Sequence, residues 1–481
     1  MAFEEEPQPL KIYFIPYLAA GHMIPLVDIA MLFASHGHHT TIITTPSNAK
    51  TLPTTPNHHF RVHTFDFPSQ EVGLPDGVEN LTGSTDLESS WKIYQASVIL
   101  RNNIEDFVEQ NPPDCIVADF LYPWVEDLAN KLHIPWLVFN GFSLFAICAM
   151  EALKAHPIVD AHPSGSFVIP NFPHHITINS APPQFSKEFM DPLLTVALRS
   201  HGFIINSFAE LDGEEYVNYY HKTIGHKAWH LGPASLTRRT NKEKAERGEK
   251  SVVSVHECLS WLNSNPPNSV LYISFGTLCY WSDKQLYEIA SAIEASGYGF
   301  IWVVPEKKGN EEESEEEQEK WLPKGFEERN REKGIIIRGW APQVLILDNP
   351  AVGAFITHCG WNSTVEAVCA GVSMITWPLH SEQYYNEKLI TEVRGIGVEV
   401  GVAEWRISAY RENEKLVSKD VIEKAVRRLM DGGDEAERIR QCAQEYGKKA
   451  RQAIQEGGSS HKNLTTLIEE LKQLKASKSL Q

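Results

Sequence analysis

Twice along this chain a buried-strand run leads into a small-residue turn and then an apolar, helix-like stretch. That recurrence limits the possible folds more than any other feature. In the first block KIYFIP at 11–16 reads as a strand and 23–35 as a helix. TTIITT at 40–45, RVHTFDF at 61–67, CIVAD at 115–119 and WLVF at 136–139 read as further strands, with helices over 91–110 and 123–132. A polar stretch, TRRTNKEKAERGEKS at 237–251, interrupts the pattern and reads as an interdomain linker. The alternation then restarts with VLYISFGT at 270–277, FIWVV at 300–304, GIIIRGW at 334–340, GAFITH at 353–358 and SMITW at 373–377. Strands that alternate with helices build parallel βαβ units. The expectation is two α/β domains with a cleft between them, and ligands in such sheets sit beyond the carboxyl ends of the strands.

Composition narrows the class. The chain has 481 residues, 42% hydrophobic and 22% charged, as an ordinary globular protein does. Forty-four basic residues stand against 62 acidic ones, a net charge of −18, with no basic cluster of the kind that binds nucleic acid. Eight Glu crowd into 306–320, which reads as a solvated loop. Seven cysteines, with no CxxC, fit a reducing compartment. The acidic MAFEEEPQPLK start does not resemble a signal peptide, and no apolar run reaches the roughly 20 residues a bilayer needs. A cytoplasmic protein without a membrane span is expected.

The chemistry lies at the strand ends. His22 follows the first strand in YLAAGHMIP, where Ala19, Ala20 and Gly21 leave room for an imidazole. Asp119 closes CIVAD. A carboxylate there can accept the Nδ1–H of an imidazole, orient the ring and stabilise its protonated form. His22 and Asp119 are thus a candidate general base and partner, with a structural histidine as the plainer alternative. In the second block HCGWNSTVEA at 358–367 follows a strand and opens a helix. Its first backbone N–H groups, with Asn362 and Ser363, form an anion site favoured by the helix dipole. SFGT at 274–277 is a second small-residue turn, and the two together would hold a diphosphate, or would be ordinary strand–helix turns. The sequence has no P-loop, no G-x-G-x-x-G after the first strand and no G-x-S-x-G. D-x-D, H-E-x-x-H and Cys/His clusters are also missing, so no metal is expected and neutral donors would have to hold the diphosphate.

Residues 340–383, WAPQVLILDNPAVGAFITHCGWNSTVEAVCAGVSMITWPLHSEQ, resemble the 44-residue signature of plant family 1 UDP-dependent glycosyltransferases, which are inverting enzymes. The resemblance runs over nearly the whole chain. FIPYLAAGHMIPLVDIA and WPLHSEQYYNEKL are most similar to a group acting on triterpenoids and flavonoids. It implies an α/β GT-B fold, two doubly wound parallel-sheet Rossmann-like domains facing across a cleft. Residues 1–245 would bind the acceptor and 246–458 the UDP-sugar, with a last helix at 459–475 packing back on the first domain.

The resemblance also implies roles. Trp340 would stack on uracil and the Ala341 backbone would pair with it. Gln343 and Glu366 would hold the ribose hydroxyls. Thr277, His358, Asn362 and Ser363 would bind the diphosphate, with Trp361 in the same nucleotide site. Trp377, Glu382 and Gln383 would bind sugar hydroxyls, and Gln383 at the end of the motif is similar to members that use UDP-glucose. His22 would be the base and Asp119 its partner. In the family several members place after WLVF a Thr that reaches the sugar 6-hydroxyl; NGFS at 140–143 stands here, with Gly141 at about that position.

An apolar acceptor pocket is expected in the first half, from 17–22, 81–94, 140–155 and 183–198. Tyr17, Phe142, Phe145, Phe185, Phe189 and His380 are its candidates. The expected partners are a UDP-sugar and a small-molecule acceptor, a triterpenoid of saponin type or an (iso)flavonoid, and the expected state is a monomer. UDP-galactose, UDP-xylose and UDP-glucuronate stay open as donors. Two other classes compete: a nucleotide-dependent oxidoreductase, and a non-catalytic nucleotide-sugar binder.

Overall fold

The computed structural model describes all residues except 1–7, 54–57, 85, 157–165, 180–183, 306–319, 403–404, 406–414 and 479–481, and the side chains of 184–187 are also not described. The acidic run at 306–319 therefore lies outside the described residues.

Two parallel sheets organise the chain. The first contains β1 (Lys11–Ile15), β2 (His39–Thr44), β3 (Phe60–Thr64), β4 (Cys115–Asp119), β5 (Trp136–Asn140), β8 (Gly202–Ile205) and β9 (Ala228–His230), in the order β3-β2-β1-β4-β5-β8-β9. A short antiparallel ribbon, β6 (Phe167–Val168) with β7 (Thr177–Ile178), stands apart from it. The second sheet contains β10 (Val270–Ser274), β11 (Gly299–Val304), β12 (Gly334–Arg338), β13 (Val352–Thr357), β14 (Ser373–Thr376) and β15 (Gly397–Glu399), in the order β12-β11-β10-β13-β14-β15. Both sheets reverse direction of winding beside their first strand, the doubly wound pattern of Rossmann-like domains. The central strands are buried on both faces, which is why they read as unbroken apolar runs.

Several short elements escape the sequence pattern, among them β6, β7 and β15. β8 and β9 are only four and three residues long, too short to show a period. Gly202 opens β8 because a Cβ there would lie 2.3 Å from the Trp229 ring on the neighbouring strand. The helix read over 91–110 is two, Leu87–Ile99 and Arg101–Gln110, and the first starts earlier because Asp86 caps it, accepting from the Ser89 N–H at 2.7 Å.

The polar stretch at 237–251 is not a solvated tether. It holds a short helix, Asn241–Ala245, with a capping box between Thr240 and Glu243. Arg238 and Arg247 turn inward to Asp28 on α1 (Ala20–Ser35). Their ion pairs explain why so charged a segment lies against the protein.

The last helix, Ser459–Lys478, returns to the first sheet. His201 Nε2 lies 2.8 Å from Glu470 Oε1, Lys475 Nζ donates to Asp114 Oδ2 at 2.9 Å, and Leu464, Leu467 and Leu471 are buried. Among the described residues no helix is long and apolar enough to cross a membrane. Since Leu467 is fully buried, Leu467→Ala should lower stability by about 2–5 kcal/mol, read as a lower denaturation midpoint. An unchanged midpoint would mean that the helix does not hold the first sheet.

Candidate active site

Both switch points open on one cleft. In the first sheet it lies between β1 and β4, where Ile15 pairs with Ala118, one residue before Asp119. His22 sits in the first turn of α1, directly after β1. His22 Nδ1 lies 2.7 Å from Asp119 Oδ2; Asp119 is fully buried while the imidazole keeps 22% exposure. The other carboxylate oxygen accepts from the Leu121 N–H at 3.1 Å. Asp119 can therefore orient the ring while the opposite edge of the ring looks into the cleft. Burial lowers the His22 pKa, but the charge and hydrogen bond of Asp119, with Glu382 further away, outweigh it and leave it raised above 6.5. Tyr17 packs edge-on to His22 with ring centroids 5.5 Å apart. Burial, followed by the Asp119 charge, pushes its phenol far above the ordinary value of 10, so it stays protonated.

The second switch point lies between β10 and β13. His358 follows β13, and the helix Trp361–Ala370 opens with its N-terminus toward the cleft. Gly276 after β10 and Gly360 lie close to the His358 ring: a Cβ at either would come within 2.7 Å or 2.3 Å of Nε2. Burial and the charge of His380 push the His358 pKa down to about 3, so the ring is a neutral donor. Its Nδ1 is buried with no hydrogen-bond partner among the described residues. Thr277, Ser363 and Glu382 line the same cleft. Burial raises the Glu382 pKa, partly opposed by hydrogen bonds from Ser381 and backbone.

Directional bonds join the two halves across the cleft. Asn362 Nδ2 donates to the Gly21 carbonyl at 2.5 Å. Pro25 lacks the N–H that would bond that carbonyl four residues back in the helix. Trp361 Nε1 donates to the Asn206 carbonyl at 2.9 Å, and Ser143 Oγ donates to Asn386 Oδ1 at 2.7 Å.

The four residues expected at the nucleoside, Trp340, Ala341, Gln343 and Glu366, all line the cleft. Gln343 Nε2 donates to Glu366 Oε2 at 2.7 Å and to Ser363 Oγ at 3.1 Å. Gln383 is engaged in its own loop, since its Oε1 accepts from the N–H groups of Leu379 at 2.9 Å and His380 at 3.1 Å. Its Nε2 lies 3.4 Å from His380 Nε2, and an amide nitrogen carries a second N–H for a ligand.

Two expected side chains do not reach the cleft. Phe145 is wholly buried, turned by its helix into a layer with Tyr216 and Phe172 at 4.8 and 5.2 Å between centroids. Trp377 is equally buried, wedged between Phe275 and Trp281. Trp361 lines the cleft, yet its indole N–H is taken by Asn206, which leaves its backbone for a nucleotide. Phe185 lies outside the residues whose side chains are described. Tyr17, Phe142, Phe189 and His380 do line the cleft.

The sequence reading missed Phe120, Tyr280 and Arg247, and named Trp91 and Tyr94 only within a segment. Phe120 had a signal, since it follows Asp119 at a strand's carboxyl end. Arg247 had none, because a charge inside a polar stretch reads as solvated.

The comparisons with known proteins agree with this geometry. Residues 250–429 match the family model of UDP-glucoronosyl and UDP-glucosyl transferases. The chain is 46% identical to UDP-glucosyl transferase 73CC6 of Saponaria officinalis, covering 98% of each chain. It is also 46% identical to UDP-glucose flavonoid 3-O-glucosyltransferase 7 of Fragaria ananassa, covering 98% of this chain and 99% of that one. The crystal structure of Glycyrrhiza uralensis UGT73P12 complexed with glycyrrhetinic acid 3-O-monoglucuronide superposes with a TM-score of 0.89 at 39% identity, over 98% of this chain and 97% of that one. With two parallel sheets meeting at a His–Asp pair and a helix N-terminus, and relatives this similar along its whole length, the chain belongs to the plant family 1 UDP-dependent glycosyltransferases.

Proposed function

We propose that this glycosyltransferase is an inverting UDP-glucose-dependent O-glucosyltransferase, forming a β-glucoside on a hydroxyl or carboxyl of a saponin-type triterpenoid. The observation that carries the chemistry is the 2.7 Å contact between His22 and Asp119, in the same cleft as the helix N-terminus at Trp361. Neutral His22 takes the proton of the acceptor hydroxyl, and Asp119 stabilises the imidazolium. The acceptor oxygen attacks C1 of UDP-α-glucose as the bond from C1 to the diphosphate oxygen breaks. The negative charge on departing UDP is met by the helix N-terminus and by His358 as a neutral donor. This assigns the acceptor to residues 1–245 with the returning helix at 459–475, and the donor to 246–458. No metal is needed in this scheme, so a chelator should leave the rate unchanged.

UDP-glucose is supported by the names of the Saponaria and Fragaria relatives. A large acceptor is supported by the Glycyrrhiza complex and by an aromatic wall of Tyr17, Trp91, Tyr94, Phe120, Phe142 and Phe189. The Fragaria relative favours a flavonoid as the second reading. Gly141 stands beside His22, where a Cβ would make ordinary van der Waals contact with the ring at 3.8 Å.

A mass-spectrometric assay crossing UDP-glucose, UDP-galactose, UDP-xylose and UDP-glucuronate with triterpenoid and flavonoid acceptors tests the reading. A one-hexose gain with UDP-glucose is expected, and turnover confined to another donor would sink it. His22→Ala should reduce the rate on a hydroxyl acceptor by about 10²–10⁴-fold, and far less on a carboxylate acceptor, which needs no base.

The pH profile follows from the direction of the His22 shift. A base acts unprotonated, so a raised pKa places the acidic limb of kcat/KM above 6.5. Asp119→Asn removes the charge that raises it, so the limb should move to lower pH while the rate falls. A limb that stays in place would remove Asp119 from this role.

Gly360→Ala should push the His358 ring aside. Losing a hydrogen bond to a charged group costs about 1.5–3 kcal/mol, so UDP should bind about 10- to 100-fold more weakly by calorimetry. Unchanged binding would show that His358 does not hold the diphosphate.

A further inference from the structure

Glu366 lines the cleft, and both of its oxygens already have partners. Gln343 Nε2 donates to one at 2.7 Å. The Arg247 guanidinium donates to the other. Arg247 comes from the polar stretch between the sheets, yet its side chain is 7% exposed. Its Nε donates to Asp28 Oδ2 at 2.7 Å, and the second oxygen of Asp28 accepts from Arg238 Nε at 2.8 Å. Two carboxylates and two guanidinium groups thus form a closed, charge-balanced set. Asp28 is fully buried and lies on α1, six residues after His22. Next to Arg247, Gly248 at φ +89° lies against the Trp340 indole, where a Cβ would fall 2.2 Å from the ring. The segment is fixed against the two residues that the donor reading assigns to uracil and ribose.

We propose that Arg247 is a positioning residue for the donor: it fixes the Glu366 carboxylate for the ribose hydroxyls and, through Asp28, ties that carboxylate to the helix that carries His22. This rests on the donor reading above. A flexible glutamate would have to be ordered when ligand binds, whereas one held by a guanidinium on one oxygen and an amide on the other is ordered in advance. A carboxylate has about four lone-pair sites, so after these two bonds roughly two remain for a pair of hydroxyls. The planar fork of Arg suits a bridge between two carboxylates, which the point charge of Lys matches poorly.

The test measures calorimetric binding of UDP and 2′,3′-dideoxy-UDP to the full chain, as wild type, Arg247→Lys, Arg247→Met and Asp28→Asn. The wild type should prefer UDP by about tenfold or more, the scale of one or two hydrogen bonds to a charged group. Arg247→Met should weaken UDP strongly and the dideoxy analogue little, so the ratio falls toward one, with Arg247→Lys in between. Asp28→Asn, which loosens the far end of the bridge, should move the ratio the same way and carries the test if Arg247→Met does not fold. Equal losses for both ligands would make Arg247 a purely structural residue and overturn the proposal. Tighter UDP binding in Arg247→Met would also overturn it, because the arginine would then be blocking the site. Failure of the wild type to bind UDP would overturn the donor reading itself, and this inference with it.

Discussion

Asp119 is a carboxylate with no exposure to solvent, at the end of a strand buried on both faces. A buried charge must be paired and hydrogen-bonded to persist. Its partners are the Leu121 N–H and His22, whose imidazole lines the cleft. The need to satisfy one carboxylate thus fixes the imidazole in position, orients the ring and raises its affinity for a proton. The parallel pairing of β1 with β4 makes this possible, because it sets the carboxyl ends of the two strands side by side and so brings together His22 and Asp119, 97 residues apart in sequence.

The second half of the cleft is positioned against the first by a few directional bonds. Pro25 leaves the Gly21 carbonyl without its helical donor, and Asn362 supplies one from the opposite sheet. Trp361 and Asn386 reach across to Asn206 and Ser143. Arg394 holds the carbonyls of Leu211 and Asp212 and the carboxylate of Glu215. Asn362 and Trp361 open the helix whose N-terminus faces the cleft, so the bonds that align the halves also aim the anion site at His22.

Much of this was legible in the sequence for a physical reason. Strands buried on both faces must be apolar throughout, so they stand out, and the residues just beyond them are where chemistry collects in this class of sheet. His22, Asp119, Thr277 and His358 were found that way. Orientation was not legible. Phe145 and Phe142 look alike in sequence, but the helix Leu144–Ala155 turns the first into the core, while the second precedes it at the rim. Trp377 and Trp340 differ in the same way: one fills space among aromatic rings, the other faces the cleft. β8 and β9 were too short to carry a period, and the inward turn of Arg238 and Arg247 depends on Asp28 and Glu366, about 120 to 220 positions away in sequence.

The polarity of the cleft has a consequence for turnover. A diphosphate held by salt bridges to several cations would leave slowly, and its release would depend steeply on salt. At the helix mouth the groups are an N-terminus, a histidine kept neutral by burial, and hydroxyl side chains. Of the cations lining the cleft, Arg247 is balanced by Asp28 and Glu366, Lys244 by Asp348 and Arg338 by Glu327. Neutral, preorganised donors strengthen as negative charge grows on the departing oxygen, yet they hold the free nucleotide less tightly than paired ions would. Under the proposed donor reading the glycines at 276 and 360 serve the same end, since their missing side chains leave room for the neutral His358 ring.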